Sequence, residues 1–100
     1  MGAELQTGDA MRAANVDTSQ KPIVDALRKI GASVYVASSV GHGFPDLVVG
    51  WRGKTFLLEC KTGQDKLNRT QQDWHAAWAG HVAVVRTPEE AQIAIIEGAA

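Results

Sequence analysis

Leu47-Val48-Val49-Gly50-Trp51-Arg52-Gly53-Lys54-Thr55-Phe56-Leu57-Leu58 constrains this chain more than any other stretch. It reads as two apolar strands folded around a Gly-flanked turn. A turn centred on Arg52-Gly53 sets Leu47 opposite Leu58 and, one step outward, Asp46 opposite Glu59. A four-residue turn over Trp51 to Lys54 keeps that register, and a three-residue turn breaks it. Residues directly opposite in an antiparallel pair point to the same face, with Cβ atoms about 4.5–5.5 Å apart. Two carboxylates so placed repel each other unless something positive sits between them.

A hard divalent cation is the natural counter-charge, because it takes oxygen ligands from one or two carboxylates. Lys61 stands two residues after Glu59, on the same strand face. Two carboxylates, a cation and an ammonium on one face suit hydrolysis of a phosphodiester. Asp46 behind Pro45 is by itself an ordinary strand start, and Glu59 with Lys61 is by itself an ordinary edge ion pair. The apolar Phe56-Leu57-Leu58 and Cys60 around Glu59 indicate a buried strand, where unpaired charge is costly.

One hundred residues make one domain. No apolar run approaches the ~18 residues of a membrane span. The first ten residues have neither the basic start nor the apolar core of a secretory signal. A single cysteine, Cys60, rules out an intramolecular disulfide framework. A reducing cytoplasm, bacterial or that of a phage-infected host, is the expected location. The net charge of −1 argues against a passive nucleic-acid coat. Basic residues nevertheless gather between Arg52 and Arg69, and Lys54, Lys66 and Arg69, with His42, are the expected nucleic-acid contacts.

Residues 1 to 18 lack periodicity and are expected to be mobile, leaving 19–100 as the folded domain. Thr18-Ser19-Gln20-Lys21-Pro22 signals a helix start with a hydroxyl cap, and Gly31 ends that helix. Ala32 to Ser38 reads as a strand, and Ser39 to Pro45 as a Gly-rich loop. The next two strands are nearly continuous apolar runs, which suggests burial on both faces. Asn68 and Gln71 form a capping-box pattern for a second helix running to about Ala79, where Gly80 stops it. His81 to Arg86 reads as the fourth strand, and Thr87-Pro88-Glu89-Glu90 opens a last helix to about Glu97. The order α-β-β-β-α-β-α predicts an α/β fold: a three-stranded meander and a helical crossover, giving a mixed four-stranded sheet flanked by helices.

Gly43-Phe44-Pro45-Asp46, Glu59-Cys60-Lys61 and Gln71, in this order on these elements, resemble the PD-(D/E)XK nuclease superfamily. The small stand-alone VRR-NUC type, common in bacteriophages, is the nearest in pattern. The resemblance runs from about Thr18 to Ala91 and takes in the strand Val82 to Arg86 and the Pro88-Glu89-Glu90-Ala91 that follows it. It implies a restriction-endonuclease-like αβββαβ core. It also implies that Asp46, Glu59 and the backbone carbonyl of Cys60 bind Mg2+ or Mn2+. Lys61 would orient the attacking water and offset transition-state charge, and Gln71 would position that water or the phosphate. Many members carry an acid on the first helix. Here the aligned place holds Gln20, implying a weak amide ligand or none.

The expected activity is metal-dependent endonucleolytic hydrolysis of DNA. So short a chain has no room for a separate sequence-reading domain, so selection by DNA structure is expected over selection by sequence. Small relatives of this type resemble Holliday-junction resolvases and act as homodimers, whose two-fold symmetry suits a four-way junction. No organic cofactor and no membrane partner are expected. The alternative readings are a catalytically weak nucleic-acid-binding module and a phage accessory protein that keeps the fold. Cys60 reads as a small core residue, and His75 and His81 as surface or boundary residues. Trp74 and Trp78 read as core or dimer interface, and Trp51, at the hairpin tip, as the aromatic to watch for an interface or DNA contact.

Overall fold

The structure is a computed structural model and describes residues 20–100. The segment 1–18, expected to be mobile, lies outside the described residues. The first helix, α1 (Lys21–Lys29), carries Pro22 in its first turn and buries Ile23, Val24 and Leu27. Its N-cap is Gln20, whose side chain makes no capping bond, and the expected hydroxyl cap, on Thr18 or Ser19, lies outside the described residues. The Gln20 amide instead reaches Ser38: Nε2 donates to Oγ at 3.0 Å, and Oγ donates back to Oε1 at 3.2 Å.

Strand β1 (Ser33–Val36) is shorter than its apolar run, because Ser38–Val40 winds into a 3-10 turn. Strands β2 (Leu47–Trp51) and β3 (Lys54–Cys60) form the expected hairpin, with Leu47 opposite Leu58 and Trp51 opposite Lys54. Arg52 (φ 50°) and Gly53 (φ 79°) are both left-handed, the backbone of a two-residue type I′ turn. Its twist matches that of the strands it joins, which is why the register holds. Helix α2 (Arg69–Ala77) leads to β4 (Val82–Val85), and α3 (Pro88–Gly98) closes the chain.

The sheet order is β1-β2-β3-β4, antiparallel except for the parallel β3–β4 pair. This is the mixed four-stranded sheet read from the sequence. One face carries Leu47, Val49, Phe56, Leu58, Cys60 and Val85, packed against Ile23, Val24 and Leu27 of α1 and Ala91 and Ile95 of α3. Gln92 Nε2 ties the two helices by donating to the Ala26 carbonyl. Cys60 is a core residue, as expected. Burial on both strand faces holds only for the second half of β3, from Phe56 to Cys60, while β2 alternates between buried and half-buried. The face of β3 opposite the core meets α2, which contains no buried residue. The site lies between that face and α2.

Trp51 departs from its expected role. It packs against the core, with the Arg52 guanidinium 5.1 Å above its ring. Helix α2 also stops two residues early. Trp78 turns extended and stacks on Trp74 with ring centres 4.9 Å apart, and its indole lies against Gly80, where a Cβ would sit 2.8 Å from Nε1. The pair is a ledge and not core, because Trp78 remains exposed.

Candidate active site

Asp46 precedes β2 and is fixed through its backbone, whose carbonyl accepts from Ala37 N–H at 2.7 Å. Its Oδ2 accepts from the Cys60 N–H at 2.8 Å, across the hairpin. Peptide N–H and C=O of one strand residue point the same way, so the Cys60 carbonyl lies toward the same edge as Asp46. Glu59 is 1 % exposed, and with Gln20 it is one of two buried polar side chains among the described residues. The Lys61 N–H donates to the Val85 carbonyl, which extends the β3–β4 ladder and keeps Lys61 on the face of Glu59.

Burial pushes the Glu59 carboxyl up to about 8. Asp46 raises it further, through hydrogen bonding and through like charge, and the Lys61 ammonium opposes the rise. Burial and a like-charged neighbour both favour the neutral form of a carboxyl.

Gln71 serves two roles that the sequence set side by side. Its Oε1 accepts from the Asn68 N–H while its own N–H donates to the Asn68 side chain, which completes the capping box. Its Nε2 donates to Glu59 Oε2 at 3.2 Å. The amide that caps the helix thus also orients the carboxylate, and its contact is with Glu59. His75, expected at the surface or boundary, lies one helical turn later on the same face and is half-buried. The structure places its Nε2 3.9 Å from Glu59 Oε1, with the side chain only 13 % exposed. Burial first, and then Lys61, lower its pKa, so the imidazole is neutral near pH 7. The one signal in the sequence was its four-residue spacing from Gln71.

Gly43 joins the two halves of the site. Its φ is +84°, and a Cβ there would lie 2.6 Å from the Thr70 carbonyl oxygen and 3.0 Å from Trp74 Cβ. The loop before Asp46 therefore rests directly on α2, helped by the edge-to-face contact of Phe44 with Trp74. Arg86 holds the loop after Lys61, donating from Nη1 to the carbonyls of Gly63 and Asp65 at 3.0 and 2.7 Å. Arg86→Ala is expected to cost about 1 kcal/mol. Limited proteolysis should then cut faster at Lys66, while the melting temperature moves by only a few degrees.

The expected nucleic-acid contacts do not all gather here. Lys54 sits at the hairpin tip, five residues or ~17 Å of strand from Glu59. Arg69 is exposed and paired with Asp73 at 2.9 Å. Lys66 is an exposed residue of the loop after Lys61. His42 (φ 56°) is exposed in the Gly41–Gly43 turn beside α2. The described residues contain no group of three or more His, Cys, Asp and Glu placed to hold a metal. They offer two carboxylates and a backbone carbonyl, and Glu59 Oε1 is buried without a hydrogen-bond partner. That donor set fits a cation that keeps most of its ligands as water or phosphate oxygen.

A mixed sheet with Pro45-Asp46 leading into one strand and Glu59-Cys60-Lys61 at the end of the next is the arrangement of a PD-(D/E)XK nuclease. The family model of the VRR-NUC domain matches residues 4–90. A solved structure of a VRR-NUC domain superposes with a TM-score of 0.64 at 26% identity, covering 78% of this chain and 90% of that one. No curated protein matches. The chain belongs to the VRR-NUC family of the PD-(D/E)XK nuclease superfamily, and it is a nuclease domain that engages nucleic acid. Among the described residues no helix is long and apolar enough to cross a membrane.

Proposed function

We propose that this protein is a Mg2+- or Mn2+-dependent endodeoxyribonuclease. It selects DNA by structure, with branched or four-way junctions as the preferred class, and works as a homodimer. The observation that carries the reading is the buried Glu59 carboxyl, oriented by Gln71 and pushed up to about 8 by burial and by its neighbour Asp46. Asp46, Glu59 and the Cys60 carbonyl would hold the ion. Bound there, it would supply Lewis-acid stabilisation of the phosphoryl oxygens and a more acidic water. Lys61 offsets the charge that develops on the phosphoryl group. Gln71 keeps Glu59 in one orientation. The Gln20 amide is engaged with Ser38 on both its oxygen and nitrogen, which supports one cation per site.

The test is cleavage of a synthetic four-way junction beside flap, linear duplex and single-stranded DNA, with Mg2+, Mn2+ or chelator. Asp46→Ala and Lys61→Ala are each expected to lower the rate at least about 100-fold. Lys61→Ala should leave cation binding in place. Equal cutting of all four substrates would remove the structure selectivity. Cutting in chelator would remove the metal. Sedimentation of the protein with a junction reads the dimer directly.

A further inference from the structure

Two buried polar atoms in the site have no hydrogen-bond partner, Glu59 Oε1 and His75 Nε2. They face each other at 3.9 Å, and their side chains are 2 % and 13 % exposed. That distance is beyond a direct hydrogen bond. Leaving a buried polar atom unmatched is costly. Two such atoms aimed at each other therefore mark a place for a third group. Gln71 already satisfies the other oxygen of Glu59, so one face of α2 addresses both carboxylate oxygens.

Distance decides what the third group is. At ~2.1 Å the cis ligands of an octahedral cation lie about 3 Å apart and the trans ligands about 4.2 Å, so the 3.9 Å of this pair matches neither spacing. A water ~2.8 Å from each atom spans the gap with an angle near ~90° at its oxygen. Water also suits the pair, since an imidazole nitrogen and a carboxylate oxygen can both hydrogen-bond to it. The Lys61 ammonium acts on both partners, so the water would sit beside the charge that steadies the phosphoryl group.

We propose that His75 Nε2 and Glu59 Oε1 together hold the water that attacks the phosphodiester, which makes His75 a catalytic residue. This rests on the nuclease reading above. The water oxygen forms the new bond to phosphorus. The bond from phosphorus to the 3′ oxygen breaks with its electron pair on that oxygen, which takes a proton from solvent. The attacking water releases a proton to solvent. His75 orients the oxygen and carries no net proton.

The experiment has two readouts. A crystal structure at about 1.5 Å should show an ordered oxygen within hydrogen-bond distance of both atoms, and the same site should be lost in His75→Leu. Single-turnover cleavage under a Mg2+ titration should then show a maximal rate about 100-fold lower in His75→Leu, with the cation midpoint moved less than about twofold. His75→Gln, which restores a polar atom near Nε2, should recover at least about tenfold of that loss. Three results would overturn the proposal: a direct Glu59–His75 hydrogen bond in place of the oxygen, full activity in a folded His75→Leu, or a cation midpoint weakened tenfold at an unchanged maximal rate. A folded wild type that cuts no DNA with any cation overturns the nuclease reading and the water's catalytic role with it. The crystallographic oxygen would separately show whether the pair binds water.

Discussion

Glu59→Gln is expected to abolish cleavage, by about a thousandfold or more, while making the cation-free protein more stable in alkali than the wild type. The loss follows from removing an anionic ligand. The gain follows from the raised pKa. Unfolded, the Glu59 carboxyl ionises near 4.5, and folded near 8. Its neutral form therefore contributes stability that is fully present below about 4.5 and is lost as pH rises through about 8. The amount is on the order of a few kcal/mol, since each pKa unit is worth about 1.4 kcal/mol. A divalent cation bound as proposed would reverse the slope, because it would displace the proton from the carboxylate. Melting curves in chelator should fall between pH 5 and pH 9 for wild type and stay flatter for Glu59→Gln. Stabilisation of the wild type by Mg2+ or Mn2+ should grow with pH. A flat wild-type curve in chelator would show that Glu59 ionises normally.

Gly43→Ala should cost about 2–4 kcal/mol and lower the cleavage rate at least about tenfold. Gly41→Ala serves as its control. Both glycines have positive φ, +84° and +73°, so both substitutions strain the backbone, by about 1–3 kcal/mol each. A Cβ on Gly41 would meet nothing within 4 Å, whereas one on Gly43 would press on the Thr70 carbonyl. The difference between the two variants measures the contact that seats the Asp46 loop on α2. The damage should fall on rate more than on cation binding, because Asp46 and Glu59 stand on the hairpin while Gln71 and His75 stand on the helix. Equal melting temperatures for the two variants would mean that the loop does not bear on α2.

The carboxylate half of the site was legible because it is written in a hairpin. A two-residue turn over Arg52-Gly53 fixes the register, and alternation then sets Glu59 and Lys61 on one face and Cys60 on the other. The helical half was less legible. Apolar spacing is the usual guide to which side of a helix faces inward, and α2 has no buried residue to guide it. Its inward side chains are Gln71 and His75, while Trp78, which the apolar period counted among them, leaves the helix to stack on Trp74. Trp51 misled for a related reason: position at a tip says nothing of an indole large enough to fold back over the core. Lys54 belonged to the basic stretch by sequence and to the far end of β3 in space.

Helix α2 is attached to the molecule by the Gln71 amide, the edge-to-face contact of Trp74 with Phe44 and one glycine contact, with no buried residue of its own. Its opening free energy should therefore fall well below that of global unfolding. Amide protons of α2 would exchange with solvent deuterium long before those of β3, whose second half is buried. The two walls of the cleft would then answer to different clocks. The wall bearing Asp46 and Glu59 would persist for as long as the domain stays folded. The wall bearing Gln71 and His75 would come and go many times within that life, each departure letting bulk water reach Glu59.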